Sequence, residues 1–236
     1  MIGFEHPEIT VVVPVYRNSA TLRELYSRLR QTLSARQLSY EIVFVDDACP
    51  EASLDVLREI ALADERVAVL VLERNVGQHR AVLAGLSQAQ GQYIVVMDAD
   101  LQDPPEAIPA LLSKLKEGYA AVFAGRRGRY ESRMRLFTSV LFKRLLALLS
   151  GVPPDAGMFV AMNRQMADSL LTFDASKPFV VAMIGCTRLP LTSIPVRRTQ
   201  RHDGRSAYSS WKRFKTGCLA LLSVVSWRWG YDRRAS

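Results

Sequence analysis

A chain of 236 residues, 49% hydrophobic and 23% charged, can bury a full core as one large domain or as a domain plus an appendage. Its formal net charge of +8 favours an anionic partner, whether nucleic acid, an acidic membrane surface or a phosphorylated substrate. The cysteines, Cys49, Cys186 and Cys218, are odd in number and far apart, which argues against a disulfide framework or a zinc knuckle and for a reducing, cytoplasmic setting.

From the first residues onward, "MIGFEHPEIT" breaks up with charged and turn residues before an apolar leader could form. Short β-branched runs then recur at 9–15, 40–46, 67–73, 93–98 and 120–125, and segments of helical period separate them at 19–35, 51–63, 78–89 and 105–117. Strands apolar on both faces, alternating with helices, predict a mainly parallel central sheet covered on both sides. Asp103-Pro104 reads as an N-cap with proline at the first helical position, Glu106 suits the first turn, and Gly118 reads as the stop.

Beyond residue 125 the character changes. "GRRGRYESRMR" is a basic loop, and 133–150 reads as an amphipathic helix with Leu136, Phe137, Val140, Leu141, Leu145, Leu148 and Leu149 on one broad face. After "PPDAGMFVAMNR" come one or two further strands, a basic loop at 197–205 and an amphipathic segment at 208–229. The apolar run "GCLALLSVVSW" is about half the ~20 residues needed to span a bilayer, so contact with a membrane is expected without crossing.

In open sheets of this kind ligands bind beyond the carboxyl ends of the strands. That rule gathers residues 14–18, Asp46, Asp47, residues 74–78 and residues 98–103 around one crevice. Asp98 and Asp100 lie two apart and share a face while the chain stays extended. With Gln102 they offer hard oxygen ligands suited to Mg²⁺ or Mn²⁺. A calcium loop starting at Asp98 fails, because its sixth and twelfth positions hold Asp103 and Pro109. A dehalogenase-type phosphatase would carry its D-x-D motif on the first strand, not the fourth.

"VVVPVYRNSATL", "YEIVFVDDACPE", "RNVGQHRAVLAGL", "DADLQDPPE" and "DAGMF", in this order and spacing, resemble the family 2 inverting glycosyltransferases with a GT-A, nucleotide-diphospho-sugar transferase fold. Within them the chain is most similar to the polyprenyl-phosphate glycosyltransferases, namely the dolichol-phosphate mannose synthases and undecaprenyl-phosphate sugar transferases. "NVGQHRAVLAG" resembles in particular the undecaprenyl-phosphate 4-deoxy-4-formamido-L-arabinose transferases. The resemblance implies an α/β fold with C-terminal amphipathic helices. Its catalytic domain would cover 1–206, divided near 125 into nucleotide-binding and acceptor halves, and 207–236 would be a basic, aromatic segment.

Roles follow residue by residue. Pro14, Tyr16, Asp46, Asp47 and Asp98 would hold the nucleotide of a UDP- or GDP-sugar donor. Asp98, Asp100 and Gln102 would organise the metal. Arg126, Arg135, Ser139, Arg201 and Ser206 would bind phosphates of donor or acceptor. Asp100, Asp155 and Arg135 are the catalytic candidates, with Asp155 orienting the acceptor more than removing a proton. The family's arginine after "DAG-x-F" is Val160 here, and the lysine of "G-x-S-K-Y" is Ala207.

The expected acceptor is a polyprenyl phosphate, undecaprenyl or dolichyl, met by a peripheral protein at the cytoplasmic membrane face. A membrane-spanning partner subunit would replace the transmembrane helices of many relatives. A same-fold transferase with a soluble acceptor is the rival enzyme. Net charge alone suggests a nucleic-acid binder, but no binding module supports it and no nucleic-acid partner is expected. An inactive membrane scaffold is the remaining alternative.

Overall fold

The computed structural model describes residues 7–127, 147–174, 176–198 and 227. Its strands are β1 (Ile9–Val15), β2 (Tyr40–Asp46), β3 (Val67–Val71), β4 (Tyr93–Val96), β5 (Ala121–Arg127), β6 (Val160–Asn163) and β7 (Leu191–Arg197). The helices are α1 (Leu22–Ser34), α2 (Ser53–Ala63), α3 (Gln78–Gln88), α4 (Ile108–Leu115), α5 (Arg164–Leu171) and α6 (Val180–Cys186). All seven strands form one sheet in the order β3-β2-β1-β4-β6-β5-β7. Every pairing is parallel except those of β6, which runs antiparallel between β4 and β5.

The central strand explains the arrangement. All residues of β1 are buried, and because side chains alternate across a strand its two faces feed two separate cores. Val11 and Val13 join Phe44, Leu25, Leu29, Leu57 and Leu111 under α1, α2 and α4. Val12 joins Val45, Phe123, Val82, Leu86, Met166 and Met183 under α3, α5 and α6. In α1 the buried residues Leu22, Leu25, Leu29 and Leu33 follow the one-face spacing of an amphipathic helix. Helix α3 lies so close to the sheet that a Cβ on Gly85 would stand 2.3 Å from a methyl of Val12. Pro195 sits on β7, an edge strand, where a missing N–H costs no internal ladder bond.

Several boundaries differ from the sequence expectation. The segment 19–35 begins with a 3-10 turn at Ser19–Thr21 before α1, and 105–117 begins with another at Pro105–Ala107 before α4. Asp103 does not cap this helix: no side-chain cap bond is made at the start of either the turn or α4, because its carboxylate is held by Arg198. Gly118 does end the helical segment, with φ +105°. Of the helix expected over 133–150, residues 147–150 are described and helical, but Leu148 points outward at 76% exposure while Leu149 packs on the second core. The segment 208–229 lies outside the described residues except for Trp227, whose ring meets Phe173 edge-on at 6.0 Å. Among the described residues no helix is long and apolar enough to cross a membrane.

Candidate active site

The parallel strands end along one edge of the sheet, and the polar residues singled out in the sequence collect there. Strand β4 stops at Val96, two residues earlier than its β-branched run, but the Met97 N–H still reaches the Val12 carbonyl at 3.2 Å. The two-residue alternation then continues beyond the ladder. Met97, Ala99 and Leu101 are buried, while Asp98, Asp100 and Gln102 are half-buried on the opposite side. The shared face of the two carboxylates therefore survives outside the strand.

Tertiary bonds fix this loop. Thr21 donates its hydroxyl to the Ala99 carbonyl at 2.6 Å, and Asp100 accepts the Gln102 N–H at 3.1 Å. The Gln78 amide donates to Asp98, which brings the start of α3 against the loop. Leu101 adopts a left-handed backbone with φ +58°, and Arg17 (+58°) and Ala48 (+47°) do the same just after β1 and β2. Non-glycine residues in this region cost roughly 1–3 kcal/mol each and concentrate at functional sites. Three of them line one edge.

At the end of β1, Pro14 is buried and Tyr16 is 40% exposed, with the Arg17 guanidinium 5.4 Å from its ring. The Asp46 carboxylate is buried, which raises its pKa against the opposing Cys49 N–H bond, and the Asp47 charge beside it raises it further. Asp47 accepts the Val76 and Gly77 N–H groups at 2.7 and 2.9 Å, and its carbonyl accepts the Asn75 amide at 3.1 Å. Its carboxylate thus fastens the loop after β3 to the end of β2. Cys49 is structural here, its sulfur accepting the Arg17 N–H at 3.1 Å.

On the other flank, β6 is antiparallel, so the segment leading into it arrives at the same edge. Asp155 lies in that segment, and its carboxylate rests on Gly125 of β5. A Cβ at Gly125 would fall 2.0 Å from Asp155 Oδ2. Arg126 follows on β5, in register with Val196 of β7. Arg135, Ser139, Arg201 and Ser206 lie outside the described residues.

His79 turns away from chemistry. Its Nδ1 accepts the Val180 N–H at 3.4 Å, its ring meets Phe179 edge-on at 4.9 Å, and burial drives its pKa down to about 4. It is a neutral pin between α3 and α6.

Arg198, just past β7, escaped the sequence reading. It forks onto Asp103 and reaches Gln102 Oε1 at 3.3 Å. Burial opposes its charge, but the bonds to Asp103 and the neighbouring charges of Asp98 and Asp100 outweigh burial and raise its pKa. Within the basic loop nothing in the sequence distinguishes it from Arg197, since its partners are 95 and 96 residues away.

The donor set at the end of β4 fits a small hard cation. Among the described residues no group of three or more His, Cys, Asp or Glu side chains forms a complete metal cage. Two carboxylates and an amide oxygen on one side of a loop are the partial shell that Mg²⁺ or Mn²⁺ takes when water and phosphate oxygens supply the rest.

Comparison with known proteins identifies the family. Residues 10–171 match the family described as glycosyl transferase family 2. The uncharacterized glycosyltransferase YkcC of Bacillus subtilis (strain 168) is 36% identical over 213 residues, covering 89% of this chain and 66% of that protein. The undecaprenyl-phosphate 4-deoxy-4-formamido-L-arabinose transferase of Pseudomonas fluorescens (strain Pf0-1) is 34% identical over 230 residues, covering 92% and 68% respectively. The chain therefore spans about two thirds of the length of these curated relatives.

In fold it is similar to glucosyl-3-phosphoglycerate synthase from Mycobacterium tuberculosis, solved with Mn²⁺, uridine diphosphate and glucosyl-3-phosphoglycerate. That likeness has a TM-score of 0.66 at 20% identity, over 95% of this chain and 80% of the other. Mannosyltransferase PcManGT from Pyrobaculum calidifontis, in complex with GDP-Man and Mn²⁺, gives 0.62 at 19% identity, over 89% and 61%. The chain belongs to glycosyl transferase family 2, and it is a glycosyltransferase built on the GT-A fold.

Proposed function

We propose that the protein is a metal-dependent, inverting transferase that moves a sugar from a nucleotide-sugar donor to a polyprenyl phosphate at the cytoplasmic face of the membrane. The observation that carries this reading is the collection of Asp98, Asp100, Gln102 and Asp155 along one edge of the sheet, with Tyr16, Asp46 and Asp47 at the neighbouring strand ends. The polyprenyl-phosphate acceptor is supported by the names of relatives at 33–34% identity.

In this reading Tyr16, exposed at the end of β1, stacks on the base, with Pro14, Asp46 and Asp47 completing the nucleotide side. Asp47 acts largely through the loop it fastens. Asp98, Asp100 and Gln102 would hold Mg²⁺ or Mn²⁺, which would supply positive charge beside the departing nucleoside diphosphate. An acceptor phosphate oxygen attacks the anomeric carbon as the bond to the diphosphate oxygen breaks, inverting the configuration in one displacement. A phosphate monoester is already anionic at neutral pH, so Asp155 orients the acceptor and need take no proton.

Arg126, Arg135, Ser139, Arg201 and Ser206 are assigned to phosphates, Arg135 together with Asp100 and Asp155 being catalytic. The catalytic domain covers 1–206. The basic and aromatic segment 207–236 meets the membrane surface or a membrane-spanning subunit.

The test is transfer from radiolabelled UDP- and GDP-sugars to polyprenyl phosphate in detergent, with Mn²⁺ or Mg²⁺. Label extracting with the lipid phase is expected, and chelator should abolish it. Label in an aqueous product instead would replace the lipid acceptor with a soluble one.

A further inference from the structure

Among the described residues, the side chain of Arg198 joins the segment after β7 to the loop after β4. Arg198 follows β7, whereas Gln102 and Asp103 follow β4, and β6 and β5 stand between those strands in the sheet. At a strand spacing of about 4.8 Å, β4 and β7 are roughly 14 Å apart, so local geometry alone would not bring the two loops together. The guanidinium nevertheless forks onto both Asp103 oxygens and donates to Gln102 Oε1 at 3.3 Å. Both partners of the ion pair are withdrawn from water, with side chains 15% and 3% exposed.

Such a pair is a poor device for stability alone, since its desolvation offsets much of the attraction. What it supplies is geometry. An arginine fork on a carboxylate sets direction as well as distance. Asp103 is not used as a helix cap, although it stands where a cap would, which leaves Arg198 as its described partner. A guanidinium can only donate, so its bond to Gln102 also dictates which end of the carboxamide is oxygen. The fork on Asp103 and the bond to Gln102 together fix where the carboxamide stands in the loop.

We propose that Arg198 is a positioning residue for the transfer: its fork on Asp103 and Gln102 sets the acidic loop after β4 and ties it to the segment that continues from β7. This rests on the metal-site reading above and deepens it. Arg198 is not itself a metal ligand, and its own charge sits against any cation bound there. The proposed contribution is therefore orientation, which a lysine of equal charge but without the fork cannot reproduce.

The experiment compares wild type, Arg198→Lys and Asp103→Asn. Binding of Mn²⁺ alone is read by electron paramagnetic resonance, and binding of Mn²⁺ with UDP or GDP by calorimetry, at a temperature where circular dichroism shows each chain folded. Arg198→Lys is expected to weaken Mn²⁺–nucleotide binding about 10-fold or more, to raise KM for the donor, and to keep the circular dichroism of the wild type. Asp103→Asn, which keeps the shape of the partner and weakens the fork, should move in the same direction by less. If Arg198→Lys does not fold, Asp103→Asn alone decides by the same criterion.

Equal Mn²⁺–nucleotide affinity in wild type and folded variant would overturn the positioning role and leave the proposed function standing. A wild-type chain that binds neither Mn²⁺–UDP nor Mn²⁺–GDP would overturn the function itself, and this role with it.

Discussion

The carboxylate of Asp155 rests on the α-carbon of Gly125, so that a methyl group there would fall 2.0 Å from Oδ2 and 3.2 Å from the Ile194 carbonyl. This contact sets where the Asp155 carboxylate stands, so Gly125 offers a test of the acceptor-orienting role proposed for it. Gly125→Ala must push Asp155 aside. A displacement near 1 Å costs about 100-fold in rate when the displaced group positions a substrate, and overpacking costs about 1–3 kcal/mol. The expected outcome is kcat lowered 10- to 100-fold with donor binding, measured as Mn²⁺–nucleotide affinity, little changed. Unaltered kcat in Gly125→Ala would remove Asp155 from the acceptor-orienting role.

Substitution of Asp100 tests the catalytic role proposed for it separately from folding. It is half-buried, and the Gln102 backbone N–H is among the groups it accepts. Asp100→Ala is therefore expected to cost about 1 kcal/mol of stability, while turnover falls at least 100-fold and the rise in Tm produced by donor plus Mn²⁺ disappears. A differential scanning measurement with and without ligand reads both quantities on one sample.

Acid should loosen the contact between α3 and α6. The His79 pKa falls from 6.5 to about 4 on folding through burial, so between those values the unfolded chain binds a proton that the folded chain does not. Stability on this account is complete above pH 6.5 and is lost as pH falls towards 4, by up to about 3 kcal/mol. Asp46 works in the opposite sense, since burial raises its pKa and its protonation favours the folded state. The difference between wild type and His79→Phe isolates the histidine. Denaturant titrations at pH 7 and pH 5 should show a smaller loss in the variant, and identical losses would mean that His79 is not held neutral by the fold.

Backbone strain after β2 gives a prediction of opposite sign. Ala48 has φ +47°, a conformation that costs an L-residue roughly 1–2 kcal/mol and glycine almost nothing. Ala48→Gly should leave stability unchanged or raise it by up to about 1 kcal/mol, because greater freedom of the unfolded chain offsets part of the relief. A clear fall in Tm would show that the Ala48 methyl contributes packing that outweighs the strain.

Much of the frame was legible in the chain because its signals are local. The run "ITVVVPV" is apolar on both faces, and so could only be an interior strand of a covered sheet. Asp98 and Asp100 stood out because charge appears where a buried run stops, and their common side is kept by the alternation of Met97, Ala99 and Leu101 into the core. The run "DPPE" satisfies a capping pattern by itself, whereas Arg198, which holds Asp103 instead, lies 95 residues further on. The bonds of Asp47 to Val76 and Gly77 depend on where the loop after β3 returns, which no periodicity encodes. The seat of Asp155 on Gly125 likewise joins two strands through an antiparallel insertion that composition does not announce. Arg135, Ser139, Arg201 and Ser206 lie outside the described residues, and their assignment to phosphates rests on motif likeness.

The most direct measurement is anomalous diffraction from crystals grown with Mn²⁺ and UDP or GDP. A manganese peak within bonding distance of Asp98 or Asp100, with diphosphate oxygens completing its shell, is the expected result. Manganese and nucleotide found together elsewhere on the chain, with the loop after β4 unchanged, would contradict the assignment of that loop to the donor.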